Sequence, residues 1–140
     1  KMSIIETQKI SEHSRGHYKD KFPVDAKIVR VGTYYEKLPE SVEELEATYS
    51  YYQNQISQLP DLKNLSVLRL SNITSCYLNK LPTLRQQLVE LQLVNFHLEA
   101  CHLDWIANMK TLRTLMLFET DIAGLSFIQN LGLKSFGCKL

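Results

Sequence analysis

The feature that most restricts this chain is a leucine pattern repeated in register. Leu65, Leu68 and Leu70, then Leu88, Leu91 and Leu93, then Leu112, Leu115 and Leu117 all read L-x-x-L-x-L. Weaker copies flank this set, with Val42, Leu45 and Ala47 before it and Leu133, Phe136 and Cys138 after it. The copies start at 42, 65, 88, 112 and 133, so successive starts are 23, 23, 24 and 21 residues apart. A further degenerate copy starts at Ala26, with Val29 and Val31 at the later positions. A fixed period in this range marks a chain built from one stacked unit, because no single copy can bury its apolar side alone. Alternate residues of a strand share a face, so each L-x-L predicts a short strand with both leucines pointing inward.

The rest of each copy must bring the chain back to the next strand. Residues 97–109 place Leu98, Leu103, Ile106 and Met109 at spacings of three to five, and residues 122–131 do the same with Ile122, Leu125, Ile128 and Leu131. That spacing predicts one buried face of a helix or helical turn. Leu-Pro recurs at Leu38-Pro39, Leu59-Pro60 and Leu81-Pro82. Proline neither continues a helix nor donates to a ladder, so these pairs are expected where return segments end.

The L-x-x-L-x-L cores and their period resemble the leucine-rich-repeat family over residues 26–140. The copy from Leu112 to Leu131 is most similar to the short repeats of intracellular regulatory members, and the stretch around Leu38-Pro39 resembles bacterial effector repeats. The chain departs from the family at the ninth position, where an asparagine normally holds the bend and Ser50, Ile73, Phe96 and Thr120 stand here. In that respect it is closer to the irregular repeats of F-box-type proteins. The resemblance implies an α/β fold, a leucine-rich-repeat solenoid arc. A parallel sheet of short strands would line its concave face, and helical or irregular return segments its convex face. Residues 1–25 are polar and read as an N-terminal cap or linker. The chain stops just after a strand-like Leu133, Phe136, Cys138 frame, whose core a capping unit would normally cover. The repeat domain, 26–140, is therefore expected to be truncated within a longer array, or to have its last edge paired with another segment.

Composition bounds the function. With 16 Lys and Arg against 15 Asp and Glu, the formal charge is +1, and nucleic-acid binding by counterion release has no general field to draw on. The apolar runs are far short of the roughly 20 residues needed to cross a bilayer, so no membrane segment is expected. Three cysteines, Cys76, Cys101 and Cys138, lack the close pairing of an extracellular cap and read as reduced thiols of the cytoplasm or nucleus. The sequons at Asn64 and Asn72 then carry no glycan.

No motif carries chemistry. His97, Cys101, His102 and Asp104 match no closed zinc spacing and read as a polar outer face with one semi-buried thiol. His13 and His17 read as a solvated tail. Cys101 and His102 are sequence neighbours, which rarely face each other as nucleophile and base. Trp105 and Cys138 read as core or near-core. The expectation is a protein that is not an enzyme and uses no cofactor or metal.

The resemblance names a binding face. Residues between and beyond the inward leucines would point to the concave side. One column is Glu44, Val67, Glu90, Thr114 and Ser135; the central column is Glu46, Arg69, Gln92, Met116 and Gly137; the third is Thr48, Ser71, Val94, Phe118 and Lys139. Expected partner contacts are Glu44, Glu46, Val67, Arg69, Glu90, Gln92, Val94, Met116 and Phe118, with Phe118 foremost, because Val94, Met116 and Phe118 would form an apolar group among polar neighbours. Acidic residues gather at the early copies (Glu40, Glu43, Glu44, Glu46) and basic ones at the late copies (Arg113, Lys134, Lys139). Tyr49, Tyr51 and Tyr52 stand beside the acidic end. The expected function is a protein–protein interaction module, as in the substrate receptor of a ubiquitin ligase. Other readings are a scaffold subunit of a ribonucleoprotein or chromatin assembly, and a pathogen effector or receptor ectodomain. Oligomeric state is not fixed by the sequence.

Overall fold

A computed structural model describes residues 4–6, 25–31, 38–48, 61–72, 75–122, 124–129 and 131–139. Seven strands run along the described chain: β1 (Ile4–Glu6), β2 (Ile28–Val31), β3 (Glu44–Ala47), β4 (Val67–Ser71), β5 (Glu90–Val94), β6 (Thr114–Phe118) and β7 (Ser135–Lys139). They form one parallel sheet in which every strand lies beside its sequence neighbours, in the order β1 to β7. With one α-helix, α1 (Ala100–Ala107), the described chain is α/β. Its β1 lies in the segment read as a cap or linker and pairs in parallel with β2.

The register follows the leucine frame. Leu45, Leu68, Leu91, Leu115 and Phe136 are partners across β3 to β7, and Ala47, Leu70, Leu93, Leu117 and Cys138 form the next inward column. The degenerate copy is in register too, with Val29 opposite Leu45 and Val31 opposite Ala47. Along β4, β5 and β6 burial alternates strictly, as a sheet with one packed face requires. The inward residues join one continuous core with Leu65, Leu88 and Leu112 and with Leu78, Leu81, Leu84, Ile106 and Met109 from the return segments. Each fully buried leucine or isoleucine there is worth roughly 1.5–3 kcal/mol of transfer free energy.

Hydrogen bonds at both ends of the strands repeat with the same period. Just before the copies that start at 42, 65, 88 and 112, a polar side chain reaches back to a carbonyl at or just before the start of the preceding copy. Ser41 donates to Ala26 O (2.6 Å), Asn64 to Glu40 O (2.9 Å) and Thr111 to Leu88 O (2.7 Å), while Gln87 donates to both Leu62 O and Leu65 O (2.8 Å each). Four residue types thus do one job, satisfying backbone acceptors beside the core that would otherwise cost free energy. At the far end, Asn72, Asn95 and Glu119 each follow a strand directly and each adopt positive φ, at 55, 60 and 50°. Asn72 and Asn95 are both exposed, and Asn95 Nδ2 donates to Asn72 Oδ1 at 2.7 Å. At the ninth position Phe96 and Thr120 turn inward and are buried; the Thr120 hydroxyl donates to Phe118 O at 2.9 Å, holding the bend.

The return segments differ from copy to copy. Residues Ser75–Leu84 form a 3-10 stretch, 97–109 contains α1, and Ser126–Ile128 is a single 3-10 turn. Three corrections to the sequence reading follow. Pro82 lies inside its 3-10 stretch, two residues before its end, rather than past it; the tighter 3-10 turn lets the chain run on to the buried Leu84. Leu125, expected on the buried face, is 38% exposed, because it precedes the turn as its cap; Phe127 packs on the core beside Ile122, Ile128 and Leu131. The buried member of the polar stretch around 101 is His102, whereas the Cys101 thiol is exposed. Leu38-Pro39 does close a connection, its Pro39 carbonyl accepting from Val42 N at 3.2 Å. Leu59-Pro60, Ser50, Ile73, His13, His17 and the tyrosines 49, 51 and 52 lie outside the described residues, as does the side chain of Cys76.

Candidate binding surface

All nine expected contact residues lie on the uncovered face of β3 to β6, in the columns the leucine frame assigns. Glu44, Val67 and Glu90 are successive partners, as are Glu46, Arg69, Gln92 and Met116; Val94 lies opposite Phe118. All nine are half-buried. What the structure brings together differs along the sheet.

At the β3–β5 end the face is charged and largely self-satisfied. Arg69 Nε donates to Glu90 Oε2 at 2.8 Å, and Arg69 Nη1 stands 4.0 Å from Glu44 Oε2. One guanidinium is thus shared diagonally between two carboxylates of adjacent strands. The triad keeps a net negative charge, and Glu46, in register with Arg69, adds to it. Such half-exposed pairs contribute roughly 0.2–1 kcal/mol each; their larger effect is to fix where the arginine fork points. The sequence columns held the signal for this triad, opposite charges at diagonal cross-strand positions.

At the β5–β7 end the face turns apolar. Val94 and Phe118 are partners, Met116 lies two residues before Phe118 in the central column, and it stands opposite Gln92 on one side and Gly137 on the other. A methyl group at Gly137 would stand 2.5 Å from Met116 Sδ and 3.6 Å from the Phe118 ring. Met116 therefore leans across β7 into the space that glycine leaves, and the ring edge of Phe118 borders the same space. Gly137 was in the central column but not among the expected contacts; its signal was the only glycine in the three columns.

The basic half of the charge gradient is thinner than its residue count implies. Arg113 folds back on the backbone, donating to Leu112 O at 2.9 Å and Lys110 O at 3.2 Å, which leaves Lys134 and Lys139 exposed. On the acidic side Glu43 is paired with Lys27 at 3.4 Å.

The two described histidines, His97 and His102, make contacts within the fold. His97 Nδ1 and Asp121 Oδ2 are 3.0 Å apart, beside a bridge that extends the parallel ladder past the strands. His102 Nδ1 accepts the Glu99 backbone N–H at the start of α1, at 3.0 Å, and its ring meets Trp105 edge-on with centroids 5.3 Å apart. Burial pushes the His102 pKa below the ordinary histidine value against the opposing pull of Glu99, and His97 lowers it further. With Nδ1 committed to the backbone, His102 offers Cys101 no base through that nitrogen. Trp105 and Cys138 are partly buried against the core. Among the described residues no three His, Cys, Asp or Glu side chains converge as metal ligands would, and no helix is long and apolar enough to cross a membrane. No family model, curated protein or solved structure matches the chain.

Proposed function

We propose that this chain is an irregular leucine-rich-repeat domain, a solenoid arc that holds a protein partner on the concave side of its sheet and catalyses nothing. The observation that carries the reading is the Val94, Met116 and Phe118 group, half-buried on the open face with Gly137 beside it and paired charges on the preceding strands. An apolar group framed by polar residues is what a contact site needs, since the centre supplies burial and the rim supplies orientation. The acidic β3–β5 end would steer a partner and set its direction more than it would add affinity. The strand register and the periodic hydrogen bonds support the repeat assignment. A role as the recognition part of a larger cytoplasmic or nuclear assembly, such as a ubiquitin-ligase substrate receptor, rests on the resemblance in the sequence.

Affinity capture from cell lysate tests the reading, comparing the wild-type chain with a Met116→Glu, Phe118→Glu variant shown by circular dichroism to be folded. A partner held by the wild type and lost by the variant is the expected result. A partner held equally by both would move recognition off this face. Recovery of nucleic acid, released as salt is raised, would favour a ribonucleoprotein or chromatin scaffold instead.

A further inference from the structure

A cleft among the return segments stands apart from the sheet face. It is lined by Pro82, Arg85 and Gln86 at the end of the 3-10 stretch and the turn that follows, and by Trp105, Asn108 and Lys110 at the end of α1 and just beyond. The Lys110 backbone N–H donates to Arg85 O at 3.2 Å, tying the two walls together. The volume is about 220 Å³, below the roughly 300–1,000 Å³ of pockets for whole small molecules, and suits one or two side chains of a peptide. Trp105 is held from behind by its edge-on contact with His102 and its packing on the core, so the indole is a fixed apolar wall.

The charge of the cleft is one-sided. Arg85 and Lys110 are both exposed, and among the described residues neither side chain joins an ion pair. Cations near a helix C-terminus commonly serve its free carbonyls, but here those of Asp104, Trp105 and Ile106 already accept hydrogen bonds. Asn108 donates to Asp104 O through both its backbone N–H (3.2 Å) and its amide (2.8 Å), and its N–H also reaches Trp105 O; Met109 N–H donates to Ile106 O at 3.0 Å. The Asp104, Trp105 and Ile106 carbonyls are thus served without the two cations, and among the described residues no acidic side chain lines the cleft to neutralise them.

We propose that this cleft is a second docking site, taking an acidic peptide segment of a protein partner. One apolar side chain of the segment seats against Trp105 and Pro82, and carboxylates on either side of it meet Arg85 and Lys110. A carboxylate peptide fits better than nucleic acid. Two cations neutralise too few phosphates to hold a strand.

Trp105 is the chain's one tryptophan, so its emission reports the cleft directly. The probe is a five-residue peptide, leucine flanked by two glutamates on each side with blocked ends, titrated into the full chain; the control replaces every glutamate with glutamine. The expected result is a saturable change in emission with the acidic peptide, with affinity at least about tenfold weaker for the glutamine peptide and for an Arg85→Glu, Lys110→Glu variant, about 1.4 kcal/mol. Equal affinity for both peptides, an unweakened charge-reversed variant that remains folded by circular dichroism, or no saturable change up to millimolar peptide would each overturn the proposal. So would a response to oligouridylate in place of the acidic peptide. Binding at the sheet face is read separately, because the Met116→Glu, Phe118→Glu variant leaves the cleft residues untouched and is expected to bind the acidic peptide like the wild type.

Discussion

The positive-φ position after β4, β5 and β6 shows how much one residue carries in this chain. At φ near +55° an L-residue meets a steric cost of roughly 1–2 kcal/mol, which asparagine and glycine reduce. Asn72 and Asn95 suit that position, whereas Glu119 occupies it at φ 50° with an exposed side chain. Glu119→Asn is therefore expected to stabilise the fold by about 0.5–1 kcal/mol, seen as a higher urea midpoint with an unchanged slope; a lower midpoint would mean that the backbone relaxes differently there. Gly137 poses the opposite problem. A methyl group there meets the flexible end of Met116, so Gly137→Ala should cost under about 1 kcal/mol in stability, since a thioether can swing away. It should nonetheless weaken partner binding several-fold by displacing Met116, and unchanged binding would argue that Met116 is not a contact. Only Gly137 leaves a mark in the sequence, as the one glycine in the three columns. The leucine pattern states which residues point inward, but the bend after a strand is set by backbone torsion, which Asn72, Asn95 and Glu119 share without sharing a residue type.

Among the elements, α1 has the most condition-dependent start. His102 accepts the Glu99 N–H only while Nδ1 is unprotonated, and burial lowers its pKa in the folded chain. The folded state thus binds a proton less readily than the unfolded one, so this contribution is fully present above the unfolded value of about 6.5. It is lost as pH falls from there through the lower folded value. A proton on His102 would also place positive charge at the positive end of the helix. Urea unfolding at pH 7.5, 6 and 5 should show stability falling, and His102→Gln, whose amide can take the same capping position, should flatten that fall. An equal fall in both chains would assign it to other groups. The elements themselves were readable to different degrees. Strands β3 to β7 follow from L-x-L because an alternating pattern with one buried face admits a single register. The return segments were readable only as apolar spacing, which 3-10 and α-helical turns share, so neither Pro82 inside its stretch nor the cleft between it and α1 could be placed.

For the whole molecule, one core cluster runs without a break from Ala26 to Leu117 and carries β7 as a half-buried addition. Leu91 has a strand on each side and is 0% exposed, while Phe136, its counterpart in β7, has only β6 beside it in the described sheet and remains partly exposed. The frame that makes these two positions equivalent in sequence therefore says nothing about their energetic weight, which depends on how many neighbours each copy has. Leu91→Ala removes a fully enclosed side chain and should cost roughly 2–5 kcal/mol, the range for such truncations. Phe136→Ala deletes more atoms, yet should cost only about 1–2 kcal/mol, well below the roughly 3–5 kcal/mol of an enclosed phenylalanine, because part of the ring already faces water. Hydrogen exchange should show the same gradient, with the slowest amides in β4 to β6 and faster ones in β7. Because the proposed contact residues Val94, Met116 and Phe118 lie on β5 and β6 with Gly137 of β7 beside them, a partner that closes over Met116 and Phe118 would also slow exchange in β7, coupling the proposed recognition to a half-enclosed edge of the described sheet. Exchange in β7 as slow as in β5 without a partner would sink that coupling, since no reserve of local opening would be left for binding to remove.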